Sequence, residues 1–317
     1  KELEKRIYSF YEIPIPEVIE EPVDRNRREV EDVPLLEDVL DGLPIKFKHT
    51  YELGSDMKVN ARLRRSAAKI DEEDLFQYVE GCHELGTQPL NAVIFQIRRP
   101  EKLLDLRGLR VTSTEALALS SALTLMTRPL EGFDLSNNPI FDKGCINSES
   151  VRFCGIVNSI ALNANIRTVI LSRTRISAAT AAQLGKVVSY HGTMAKLDLS
   201  SNDLRDDGIE SLANGLMSAP NMRELNLSNT KCSFRGATAL GAMLSSNQTL
   251  QIVNLSWNSF LCKGSTAVLE GMKAHPKLEE VHMEWNLLGH TGGVALGNVL
   301  GTTQSIQRID VSHCSIP

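Results

Sequence analysis

Catalysis or metal binding would have to start from the histidines and cysteines, so their spacing is the first question. His49, His83, His191, His275, His282, His290 and His313 form no HExxH pair and no Cys/His pattern with zinc-site spacing. No GxxxxGK[ST] phosphate loop occurs, and no GxGxxG enters a helix; the clustered glycines of "HTGGVALG", around Gly292 and Gly293, read as the packing of a helix start. Cys82, Cys145, Cys154, Cys232, Cys262 and Cys314 are widely spaced with no CxxC pair, a usage that fits reduced intracellular thiols rather than a disulfide framework. The residues thus imply no catalytic group, metal ligand or cofactor. What they offer is recognition. Trp257 and Trp285 are the only two tryptophans in 317 residues, in "VNLSWNSF" and "VHMEWNLL", 28 positions apart. Tryptophan is enriched at binding hot spots and loses little rotamer entropy when it docks.

The spacing belongs to the whole chain. Aligned on L-x-L-x-x-N-x-L, the first apolar anchors fall at Leu104, Phe133, Val169, Leu197, Leu225, Val253, Val281 and Ile309. The last five intervals are 28 residues each, the first is 29, and the second is 36, which places an insertion near 141–154. A sustained period of this length defines a solenoid. Glycine follows six residues after the Asn slot at Gly144, Gly208, Gly236, Gly264 and Gly292, and apolar pairs such as Leu212 with Leu216 continue at helical spacing. Each unit therefore reads as strand, turn, helix. Asn138, Asn202, Asn258 and Asn286 fill the turn slot, where a side-chain amide can satisfy backbone groups of adjacent turns; Thr174, Thr230 and Cys314 replace it elsewhere.

With its L-x-L-x-x-N/C-x-L strand and full helix, the unit resembles leucine-rich repeats of the ribonuclease-inhibitor type. The resemblance covers about residues 100–317 and implies an α/β horseshoe, with a parallel sheet on the concave side and helices on the convex side. The preceding phrase "YVEGCHELGTQPLNAVIFQI" is similar to the lead-in of leucine-rich-repeat proteins of cilia and centrosomes. It implies a cytoplasmic, cytoskeletal setting in a cilium, flagellum or centrosome.

Within each unit, two-residue alternation turns certain positions away from the core. Between the anchors these run Asp105, Asp134, Ile170, Asp198, Asn226, Asn254, His282 and Asp310, and two positions further the serine line runs Arg107, Ser136, Ser172, Ser200, Ser228, Ser256, Glu284 and Ser312. The slot before the turn Asn holds Trp257, Trp285 and His313 in its last three copies. Parallel strands lie about 4.8 Å apart. The two rings are therefore expected side by side near the sheet's C-terminal rim, with His313, Glu284 and His282 around them, as a partner-binding patch on the concave face. Packing of the rings over their own loop ladder is the competing reading.

Three segments follow: an extended docking arm over 1–70 with at most a short helix near Leu35–Leu40, a helical cap over 71–100 broken near Gly86–Pro89, and the repeats over 101–317. A net charge of −5 argues against a phosphate-backbone binder, and no apolar run approaches a membrane span. The sequence starts at Lys1 and stops just after the eighth strand, so the arm and that open edge are expected to be covered by neighbours, or the chain to continue. The functional expectation is a non-catalytic interaction scaffold in a large protein assembly. The alternatives are an inhibitor-type binding protein and a GTPase activator resembling that of Ran, for which Arg173 and Arg175 would be the positioning pair.

Overall fold

The computed structural model describes residues 72–99, 101–126, 129–147, 155–273 and 275–316. The expected arm, its short helix and Cys154 lie outside the described residues.

Two helices lead in, α1 (Glu72–Glu84) and α2 (Asn91–Ile97). The repeats then alternate strand and helix: β1 (Leu103–Asp105), α3 (Ser113–Leu125), β2 (Gly132–Asp134), α4 (Phe141–Cys145), α5 (Ile156–Leu162), β3 (Thr168–Ile170), α6 (Ala178–Tyr190), β4 (Lys196–Asp198), α7 (Arg205–Leu216), β5 (Glu224–Asn226), α8 (Phe234–Ser246), β6 (Ile252–Asn254), α9 (Leu261–Met272), β7 (Glu280–His282), α10 (Gly289–Thr302) and β8 (Arg308–Asp310). The long second interval is taken up by α4 and α5 together.

The strands form one parallel sheet in chain order. Each strand is only three residues long, yet Leu104, Phe133, Val169, Leu197, Leu225, Val253 and Val281 stand in exact lateral register, each pairing the next. These anchors are buried, and so are the second anchors Leu106, Leu135, Leu171, Leu199, Leu227, Leu255 and Met283. Each buried aliphatic contributes about 1.5–3 kcal/mol before the entropy of ordering is charged against it. Burial runs on without interruption from Leu75, Tyr78 and Val79 of α1 to Val299 of α10.

On the helix side, close backbone approach replaces side-chain interdigitation at two crossings. A Cβ on Gly215 of α7 would lie 1.9 Å from the Gly185 carbonyl of α6, and one on Gly271 of α9 would lie 2.1 Å from the Gly241 carbonyl of α8. Glycine is required there by contact, with no appeal to unusual dihedrals.

Beyond each strand the ladder continues into the turn. Leu227 N donates to Asn254 O and Asn229 N to Ser256 O; Leu255 N donates to His282 O and Trp257 N to Glu284 O. Neighbouring repeats are thereby held over five residues rather than three. The architecture is a leucine-rich-repeat solenoid of α/β class.

Candidate functional site

The slot before the turn residue adopts left-handed backbone in every repeat: φ is +65° at Gly108, +59° at Asn137, +54° at Arg173, +56° at Ser201, +53° at Asn229, +57° at Trp257, +58° at Trp285 and +56° at His313. Glycine and asparagine reach this region easily; for a bulky side chain it is an outlier. The fold imposes the conformation, because the amide of the slot donates across to the next repeat, as Trp257 does to Glu284 at 2.8 Å and Trp285 to Ser312 at 3.1 Å.

This geometry corrects one expectation. Strand alternation does not extend to the serine line, because the strands end two residues earlier and the chain is already bending. Ser136, Ser200 and Ser256, expected to face outward, are buried. Trp257 and Trp285 lie on the turn edge of the sheet, three residues past β6 and β7, and not within the strands.

There the rings stack. Trp257 and Trp285 have centroids 4.5 Å apart at 18° between planes, and Trp285 and His313 are 4.2 Å apart at 16°. The separation matches the strand spacing, since each ring hangs from the same backbone conformation one repeat on. Trp257 is 49% exposed. Three rings thus make a flat aromatic rail along the rim of the last three repeats.

Below it, on β7 and β8, stand the polar groups. His282 Nε2 is 3.1 Å from Glu280 Oε1 and Nδ1 is 3.4 Å from Glu284 Oε1. Glu284 Oε2 accepts from the Ser256 hydroxyl. Arg308 donates to Glu280 at 2.8 Å and, as the leading influence, holds that carboxyl below its usual range. Asp310 accepts from the hydroxyl and amide of Ser312, which lower its pKa in the same way. Asp310 was not singled out from the sequence. The signal was present in the period, since 282 plus 28 is 310, and the strand register pairs the two residues directly. Elsewhere the polar face satisfies itself: Arg107 bridges Asp105 and Asp134, and Asn226 donates to Asp198.

The turn asparagines lie beneath the rim and bond as the slot requires. Asn202 Oδ1 accepts from Thr174 N and Ile176 N of the preceding repeat, while Nδ2 donates to Leu171 O and Leu199 O. Asn258 repeats this with Thr230 N, Cys232 N, Leu227 O and Leu255 O. Asn138 takes Val111 N and donates to Leu106 O and Leu135 O. Asn286 donates to Leu255 O and Met283 O, but its buried Oδ1 has no partner among the described residues.

Arg173 and Arg175 do not converge on a site with other functional groups in the described residues. Arg175 lies over the Phe141 ring at 5.4 Å. Cys145 and Cys232 are fully buried, and burial, the largest influence on each, raises both thiols far above the reactive range.

The repeated strand and turn are those of the leucine-rich-repeat fold. Residues 193–213 and 246–260 match the family described as Leucine Rich repeat. No curated protein matches the chain at a significant level. Among solved structures, "Leiomodin-1 Actin-Binding Site 2 (ABS2)" is similar at 19% identity and a TM-score of 0.37, over 50% of this chain and 86% of that one. Among the described residues no helix is long and apolar enough to cross a membrane.

Proposed function

We propose that this protein is a non-catalytic interaction scaffold that docks a protein partner on the rim formed by Trp257, Trp285 and His313, with His282 and Glu284 beneath. One observation carries the reading: the two tryptophans occupy left-handed slots that the other repeats fill with glycine, asparagine, serine, Arg173 or His313, none of them as large and apolar. Left-handed backbone costs an L-residue about 1–2 kcal/mol. Stacking of aromatic pairs contributes about 0.5–1.5 kcal/mol beyond area burial. The fold therefore gains little from these rings, and their use for binding accounts for them better.

The setting we propose is a cytoskeletal assembly of the cilium, flagellum or centrosome. Support comes from the lead-in "YVEGCHELGTQPLNAVIFQI", which spans α1 and α2. No specific observation favours GTPase activation, since Arg175 is engaged with Phe141.

Cross-linking mass spectrometry of native extract, comparing wild type with the Trp257→Ala, Trp285→Ala double variant, tests both parts. Loss of the major cross-linked partner with circular dichroism unchanged is the expected result. Retention of every partner by the double variant would leave the rings as local packing. Partners drawn only from outside the cytoskeleton would remove the proposed setting while leaving the rim intact.

A further inference from the structure

His282, Glu284 and Asp310 converge on one point of the sheet face. A nitrogen of His282 and one carboxylate oxygen from each of the other two all lie within 4.8 Å of one another. The convergence is built by the sheet. His282 and Asp310 are lateral partners on β7 and β8, and Glu284 follows His282 by two residues.

The imidazole lies between two carboxylates, one facing each ring nitrogen. Both of its nitrogens face carboxylates, Nε2 toward Glu280 at 3.1 Å and Nδ1 toward Glu284 at 3.4 Å. A neutral ring has one N–H. When Nε2 donates to Glu280, the Nδ1 lone pair points at an anionic oxygen. A single proton at Nδ1 would serve Glu284 alone, while Asp310, whose Oδ1 accepts from Ser312, still brings a carboxylate oxygen into the same cluster. A cation with several bonding directions serves all three.

We propose that His282 Nδ1, Glu284 Oε1 and an Asp310 carboxylate oxygen bind a divalent transition-metal ion, Zn2+ in the first place, with a fourth position left to solvent or a partner group. Zinc takes nitrogen at about 2.0–2.1 Å and carboxylate oxygen at about 2.0–2.2 Å in tetrahedral array, so neighbouring ligand atoms are about 3.3–3.5 Å apart. The 3.4 Å between His282 Nδ1 and Glu284 Oε1 is such an edge, and is long for a hydrogen bond. Small rotations bring the Asp310 oxygen from the 4.8 Å limit to the same distance.

The supporting groups are those a metal site uses. A metal-bound histidine usually donates its other N–H to a carboxylate. Glu280 takes that place and is itself held by Arg308. The Ser256 hydroxyl orients the second oxygen of Glu284. Three ligands with an open position match a site that exchanges its fourth ligand and not a closed structural one. The inference does not depend on the aromatic rim binding a partner.

Calorimetric titration of the full chain with Zn2+ tests it, alongside His282→Ala, Asp310→Asn and, as a control for stray surface histidine, His290→Ala. One equivalent is expected to bind wild type and His290→Ala alike, with an affinity loss of about tenfold or more in each ligand variant. A second readout uses Co2+: Trp285 adjoins Glu284 and the chain has only two tryptophans, so intrinsic fluorescence should be quenched in wild type and not in His282→Ala. No saturable binding to wild type would overturn the proposal. So would Zn2+ affinity or Co2+ quenching that survives both ligand substitutions.

Discussion

Asn258 and Asn286 occupy the same slot one repeat apart, yet only Asn258 receives backbone amides on its side-chain oxygen. The cause is the repeat before each. Asn202 and Asn258 follow repeats whose turn residue is Thr174 or Thr230, where the helix starts four residues on, at Ala178 or Phe234, and two turn amides are left to the next asparagine; after Asn258 the helix starts three residues on, at Leu261. Asn286 follows Asn258 itself, so the alternation of Asn and Thr turns is broken there.

Asn258→Ala should therefore cost more than Asn286→Ala. The first orphans two buried amides, those of Thr230 and Cys232, and each unsatisfied buried group costs about 1–3 kcal/mol; Leu227 O and Leu255 O keep a second donor, Thr230 Oγ1 and Asn286 Nδ2. The second takes one donor from Leu255 O and Met283 O, which keep Asn258 Nδ2 and Cys314 Sγ, and removes an oxygen that has no partner among the described residues. Urea unfolding should give a difference of at least about 1 kcal/mol between the variants. Equal losses would mean that the oxygen of Asn286 is satisfied in solution.

Replacing the rail with the residue other repeats use should scarcely affect folding. In Trp257→Asn the loss of a stacked pair, about 0.5–1.5 kcal/mol, is set against the relief of left-handed strain, about 1–2 kcal/mol. The expected change in unfolding free energy is within about 1 kcal/mol of zero. A destabilisation above about 3 kcal/mol would assign the ring to the core.

His275 predicts a pH dependence. Its Nδ1 accepts the amides of Lys277 and Leu278, and burial holds its pKa below the ordinary histidine value. A histidine with depressed folded pKa is neutral in the fold and charges more easily once unfolded. Its contribution is complete above the unfolded value, about 6.5, and is lost as pH falls from there through the folded value. Asn247 occupies the same position one repeat earlier and accepts the amides of Thr249 and Leu250. Thermal melts between pH 7.5 and 5 should fall in wild type and flatten in His275→Asn. Parallel slopes would assign the pH dependence to other groups.

Period and anchor residues were enough to read the fold from the sequence, because a solenoid's contacts are local and repeat with the chain: β3 to β8 stand where the 28-residue count puts them. The side-by-side placement of Trp257 and Trp285 follows from the same count. The left-handed slot was not legible, since Arg173, Ser201 and Trp257 are poor signals for positive φ, and the conformation comes from cross-repeat amide bonds. Asp310 was missed because ligand-spacing patterns look along one segment, whereas the triad is assembled across two strands.

The left-handed slot also separates two roles that most positions of a protein combine. Its amide links one repeat to the next whatever residue is present, so the side chain can vary without altering that link. A row of such positions works like type set on a bar: each repeat presents one character at fixed pitch, and neighbouring characters are read together. By this logic a tryptophan at Asn229 would lengthen the rail by one ring at the same spacing, a second at Ser201 would add another, and the surface could be rewritten while the scaffold beneath it stayed the same.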